Sequence, residues 1–360
     1  MDAAMWKRFL RAFAITGAAA LALVIALVLL VDPLGVSPVG LFEPKAGFAL
    51  KDRRFLVQQL IRSGQFDSFL LGSSTIHSVD PGWAEAAFGG SFANLSIHGA
   101  TPHELARVLE AVARSRPRLR TIVLGLDGGR WCGAKPPETY HPRAVFPESL
   151  YDAGRLNDFL VLLNMEMLNT SFEQLAVDLK LEAPQTEADG YRNELDEAKW
   201  KPFKPGKDAC KLACEEKVPA TDRGATASIG TPQHSFPALR LLEEAIASLP
   251  TGAKLIVVMM PPHISAQPDT AAERADLDLC KQRIAALATS RSGYTIDFDI
   301  ASAWTRNADN YWDASHFRTA IAKDIVRRVK EAIERRRDAE DGVYRYLAGP
   351  GSEPAVTTTR

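Results

Sequence analysis

Leu70-Leu71-Gly72-Ser73-Ser74-Thr75-Ile76-His77 is the stretch on which the fold turns. Ser68–Leu71 is a short apolar run, as expected of a strand covered on both faces. Gly72 permits a tight turn, and serines follow just past the strand's end. Asp80 and Pro81 then supply an N-cap and a first helical position. A strand that passes to a helix through Gly-Ser-Ser presents hydroxyls at the C-terminal edge of a sheet, where open α/β sheets bind ligands. An ordinary loop carries the same residues, so the rest of the chain must decide.

Outward from this point, strand-like and helix-like segments alternate. Phe92–Ile97 is a second strand. Thr101 to Arg114 is a helix, with Thr101 as N-cap, Pro102 at the first position and Glu104 closing a capping box. Thr121–Leu126 is a third strand, Ser235–Leu249 a helix, Lys254–Met260 a fourth strand and Ala271–Ser290 a helix. Tyr294–Ile300 is a fifth strand, and His316–Arg337 a closing amphipathic helix. This order predicts an α/β domain over residues 51–340, with a central, mostly parallel, five-stranded sheet covered on both faces. An insertion at about 133–234 follows the third strand. It has a helical core around Asn157–Leu181 and a polar run from Glu182 to Thr221. Past Gly342 the apolar periodicity stops, and 341–360 is expected to be a disordered tail.

The N-terminus is different in kind. From Ala12 to Val31 only Thr16 is polar and nothing is charged, a length of about 20 residues that suits a bilayer-spanning helix. Lys7, Arg8 and Arg11 precede it, which predicts a cytoplasmic N-terminus and an extracytoplasmic main domain, periplasmic in a Gram-negative cell. Residues 1–33 are then a short cytoplasmic tail and single anchor, and 34–50 a tether. A cleaved signal peptide is the competing reading. Against it stand the length of the apolar run and the lack of an Ala-x-Ala site after Val31. A net charge of -1 gives no reason to expect nucleic acid as a partner. Of the four cysteines, Cys132 is expected to bridge to Cys210 or Cys214, or those two to each other, with Cys280 a buried apolar residue of its helix. No His or second Cys pair completes a zinc ligand set, and nothing suggests a metal or other cofactor.

Near the other end runs Tyr311-Trp312-Asp313-Ala314-Ser315-His316-Phe317. An Asp three residues before a His, at a loop-to-helix junction, puts a carboxylate within reach of the imidazole. It can fix the tautomer while the other ring nitrogen takes a proton from serine. Asp313 could equally serve only as the cap of the helix that follows. Weaker candidates for substrate contact are His98, His103 and His263 near the sheet edge. The Arg130-Trp131 pair after the third strand could bind an anion or stack on a sugar ring, or simply pack.

Gly-x-Ser after the first strand, Asp-x-x-His before the last helix and the alternation between them resemble the SGNH (GDSL-like) hydrolase superfamily over roughly Phe66 to Val329. The likeness is nearest to membrane-tethered members similar to polysaccharide O-acetyltransferases and the D-alanine transfer proteins of teichoic acid synthesis. The resemblance implies a three-layer SGNH-like domain with Ser74 as nucleophile, His316 as base and Asp313 as the acid that orients it. Asn94-Leu95-Ser96-Ile97-His98-Gly99 resembles the second block, so Gly99 and Ser74 would lend backbone N–H groups to an oxyanion hole. The pattern departs from the family in two places. Ser73 replaces the acidic residue of the first block, and Asp127, in Gly125-Leu126-Asp127-Gly128, occupies the oxyanion-hole asparagine's position. An ionised carboxylate accepts hydrogen bonds and does not donate them. Asp127 then points elsewhere, is protonated, or leaves the third donor to another residue. The implied activity is an acyl-ester hydrolase or O-acyltransferase acting on envelope or exported polysaccharide, with an acylated glycan or other acyl ester as substrate and a membrane acyl-donor protein as a possible partner. The alternative is a catalytically silent domain that binds polysaccharide or scaffolds an envelope assembly complex.

Overall fold

The computed structural model describes residues 3–37, 39–40, 52–135, 146–154, 157–184, 187–191, 197–205 and 235–351. Six strands form one sheet: β1 (Ser68–Gly72), β2 (Phe92–Asn94), β3 (Thr121–Leu126), β4 (Lys254–Met259), β5 (Tyr294–Asp297) and β6 (Arg345–Ala348), in the order β2-β1-β3-β4-β5-β6. All neighbours are parallel except β5 and β6. The sheet therefore has one strand more than the five expected.

Alternation along the strands divides the interior in two. Phe69, Leu71, Ile122, Leu124, Leu255 and Val257 face one core, while Leu70, Val123, Ile256, Val258 and Ile296 face the other. The first core is closed by α2 (Arg53–Arg62), α4 (Pro102–Ser115), α6 (Ala238–Ala247) and α7 (Ala271–Thr289) through residues such as Leu60, Val108, Leu242 and Ile284. The second is closed by α3 (Pro81–Phe88) and α8 (Thr319–Arg335), with Ala84, Ile325 and Val329 buried there. The expected capping box is formed at α4, where Thr101 Oγ1 accepts from the Glu104 N–H and Glu104 accepts from the Thr101 N–H.

Helix α1 (Ala3–Val31) is long and apolar enough to cross a membrane. It ends where the Asp32 carboxylate accepts from the backbone N–H groups of Val36 and Ser37. Leu34 is fully buried, so the start of the expected tether already belongs to the domain. The insertion between β3 and β4 carries a 3-10 turn at Asp158–Leu162 and α5 (Met165–Asp178). It packs onto the core: the buried Tyr151 hydroxyl donates to the Arg54 carbonyl at 2.5 Å.

Three expectations need correction. The tail is ordered through Gly351: Tyr344 is buried against Phe298, and Arg345 pairs with Asp297 at 2.6 Å and Asp278 at 2.7 Å, fastening β6 to the sheet edge. Residues 352–360 lie outside the described ones. Cys280 is not a free apolar residue, because it forms a disulfide with Cys132 across a sequence separation of 148. That bond excludes a bridge from Cys132 to Cys210 or Cys214, which lie outside the described residues. Finally, the closing helix starts at Thr319, with Arg318 as its N-cap residue, so Asp313 does not cap it.

Candidate active site

The connection from β1 leads to β2 on one side, and the chain returns to β3 on the other. A crevice forms at such a switch point, at the carboxyl ends of the strands. Ser74 lies just past β1 and Asp127 just past β3, so both stand on it.

Gly72 cannot be another residue without disturbance. A Cβ there would lie 2.7 Å from the Gly125 carbonyl oxygen and 2.9 Å from Ile76 Cγ2. The chain then makes one helical turn, Ser74–His77, with Ser73 as its cap. The turn is held from three sides. Asp127 accepts from the Ser73 hydroxyl at 2.5 Å through Oδ2 and from the Thr75 hydroxyl at 2.8 Å through Oδ1. Asn94 Nδ2 donates to the carbonyls of Ile76, His77 and Val79 at its far end. Arg53, buried, donates to the carbonyls of Ser96 and Asn94 and fixes the strand from which Asn94 projects.

Ser74 meets His316 across 242 positions of sequence: Oγ and Nε2 are 2.7 Å apart. His316 Nδ1 is 2.7 Å from Asp313 Oδ2. Asp313 Oδ1 accepts from the backbone N–H groups of Ser315 and His316 at 2.7 and 2.9 Å. Burial pushes the Asp313 carboxyl up, but the His316 hydrogen bond and charge, with those two N–H groups, hold it below the usual carboxylate range. An acceptor on Nδ1 places a proton there, which leaves Nε2 free to accept from the Ser74 hydroxyl. The Asp313 side chain is 12% exposed and the His316 side chain 28%, so the imidazole is the part of the pair that a substrate can reach.

The loop carrying this pair is braced as well. Tyr311 and Phe317 form an isolated antiparallel bridge, and the Trp312 N–H donates to the His316 carbonyl at 2.8 Å. From the insertion, Trp200 Nε1 donates to the Tyr311 carbonyl at 3.1 Å, and the Arg318 guanidinium lies 4.1 Å from the centre of the Trp200 ring. Glu197 accepts from Arg318 Nε and from the Thr319 N–H, both at 2.9 Å. Burial raises the Glu197 carboxyl, and these donors outweigh it and hold the group below its ordinary value.

The second block runs beside the turn, with the Ile97 N–H donating to the Gly72 carbonyl at 3.0 Å. Gly99 follows at φ +63°, a conformation that favours glycine. Among the described residues, neither the Ser74 nor the Gly99 backbone N–H has a protein acceptor.

Other candidates fare unevenly. Trp131 is 2% exposed and packs in the core, so it offers no stacking surface. His263 is also buried, with its ring against Phe203 and Tyr311, and its Nδ1 accepts from the Ser265 N–H. That burial lowers the His263 pKa. His103 pairs with Glu148 at 2.6 Å on the surface. His98 is half-buried with its ring 4.5 Å from that of His77, and Arg130 is half-buried one turn past Asp127. Asp127 is engaged with the hydroxyls on either side of Ser74, as an acceptor to both. Its partners, with Arg53, Asn94, Glu197 and Trp200, were not legible in the sequence, because each acts through a contact to a distant segment. Among the described residues no group of three or more His, Cys, Asp or Glu side chains could hold a metal ion.

No protein-family model matches the chain, and no curated protein is similar enough to count as a relative.

Proposed function

We propose that this is a membrane-anchored, extracytoplasmic acyl-ester hydrolase or O-acyltransferase of the SGNH kind, in which Ser74 attacks an acyl carbonyl. The observation that carries the reading is the unbroken relay from Ser74 Oγ through the His316 ring to Asp313, each step 2.7 Å. His316 takes the hydroxyl proton as Ser74 adds to the carbonyl, and the imidazolium is stabilised by the Asp313 carboxylate. The developing oxyanion is met by the backbone N–H groups of Ser74 and Gly99, which no acceptor among the described residues claims. His316 then returns the proton to the departing alcohol. Water or a second alcohol completes the cycle and releases the acyl group from Ser74.

The order of the parallel strands and the site at the switch point suit that family's architecture. The outward orientation is supported by Lys7, Arg8 and Arg11 ahead of α1, and by the Cys132–Cys280 disulfide, which persists in an oxidising compartment. The choice of an envelope or exported polysaccharide as the acyl-bearing partner rests on the family resemblance alone.

Turnover of short-chain acyl esters by the detergent-solubilised full chain tests the chemistry. Ser74→Ala and His316→Ala should each lower kcat on the order of 10⁴-fold or more, and Asp313→Asn by about 10⁴-fold. Equal rates in Ser74→Ala and the parent would remove the proposal.

A further inference from the structure

Helix α5 is turned inside out for a soluble protein. Its buried residues are Met167, Thr170, Ser171 and Gln174, mostly polar. Its outer surface carries Met165, Phe172 and Leu179, seven residues apart and therefore on one stripe, exposed by 71, 54 and 58%. Leu160 and Leu163 before the helix, and Leu181 after it, are exposed as well. Large apolar residues exposed together on one short segment mark an interaction site.

What covers it is indicated by its neighbour. Helix α5 and the 3-10 turn at Asp158–Leu162 pack against α1, and Val28 of α1 is buried in the same cluster that Phe159, Val161 and Leu168 adjoin. Only the last two turns of α1 take part: Val28 and Val31 are buried, whereas Phe13, Ile15, Leu21 and Leu23 are exposed. A helix rises 1.5 Å per residue, so Ala12 to Val31 covers the roughly 30 Å of a bilayer core, and its last two turns occupy about the outermost 10 Å. Segments packed on those turns stand at the depth where interfacial helices bury their apolar face. The exposed stripe of α5 thus stands beside the exposed apolar length of α1.

We propose that Asp158–Leu181 is a second membrane contact, a helix lying in the outer leaflet beside the anchor with the Met165, Phe172 and Leu179 stripe in lipid. The proposal rests on α1 being a transmembrane span. Charge complementarity has no part in it. Glu166, Glu173 and Asp178 outnumber Lys180 along this helix and its end, so burial of apolar surface must drive the contact and zwitterionic lipid must suffice. Two points of attachment would fix the height and tilt of the sheet edge above the bilayer, which a single span could not do.

Depth-dependent quenching in the full chain tests this. Phe172→Trp and, separately, Leu23→Trp are introduced, and the protein is reconstituted into phosphatidylcholine vesicles with or without bromine on the upper acyl carbons. The emission added over the parent at position 172 should lose at least about half its intensity in brominated lipid and should resist aqueous acrylamide. Quenching at 23 but not at 172, with acrylamide reaching 172, overturns the proposal and leaves the anchor intact. Shielding of 172 from both quenchers also overturns it, because a protein surface such as a second copy then covers the stripe. Absence of bromine quenching at 23 removes the transmembrane premise itself.

Discussion

Asp127 shows how one residue's position in a motif and its work in the molecule can differ. The proposed family reading would put an oxyanion-hole donor at this position, yet both its oxygens accept from Ser73 and Thr75, the neighbours of Ser74. It positions the turn that carries Ser74, the proposed nucleophile. Asp127→Ala leaves the buried Ser73 hydroxyl without its acceptor, so thermal or urea denaturation should show a loss of about 1–3 kcal/mol, accompanied by a fall in kcat. Asp127→Asn keeps one acceptor and adds a donor that the other hydroxyl can receive, so it should retain most of the parent's stability and turnover. An Asn variant as damaged as Ala would contradict this role. The sequence did place Ser74, Asp313 and His316 at junctions that topology joins, because strand ends and helix starts leave local marks. It could not show the Ser73–Asp127 bond, whose partners stand 54 residues apart with no periodic signal. Burial of Trp131 and His263 was equally invisible, since a lone aromatic after a strand looks the same facing in or out.

At the scale of elements, long periodic segments were legible and short edges were not. Helices α4 and α7 lie within a residue or so of their expected bounds, since caps and apolar spacing mark them. Strand β6 follows a run of Arg, Asp and Glu and pairs only along one side, so its four residues carry no strand pattern of their own. Helix α5 was recognised as helical, but its apolar stripe faces outward. The disulfide also works at this level. Cys132 ends the turn that follows Asp127, and Cys280 lies in the middle of α7, so the bond ties the segment after Asp127 to the first core. Closing a loop of 148 residues restricts the unfolded chain, and Cys280→Ser should lower stability by about 2–5 kcal/mol in equilibrium unfolding. A loss of nothing measurable would mean the bond is not formed in the purified protein.

For the whole molecule, the N-terminal helix, the insertion and the candidate site have one geometry. Helix α1 ends inside the domain, the insertion packs on its last turns, and Glu197 and Trp200 of the insertion brace the Asp313–His316 loop. If the basic flank directs the chain outward as proposed, alkaline phosphatase fused after Lys45 should be active, and a fusion of normal abundance with no activity would reverse the topology. The proposed chemistry has its own direct probe. A fluorophosphonate reacts with a serine only where an adjacent base activates it, and intact-protein and peptide mass spectrometry report which residue is modified. One adduct per chain, on Ser74, lost in Ser74→Ala and strongly slowed in His316→Ala, is the predicted result. An inert parent protein, or modification on Ser73 that survives Ser74→Ala, would contradict it.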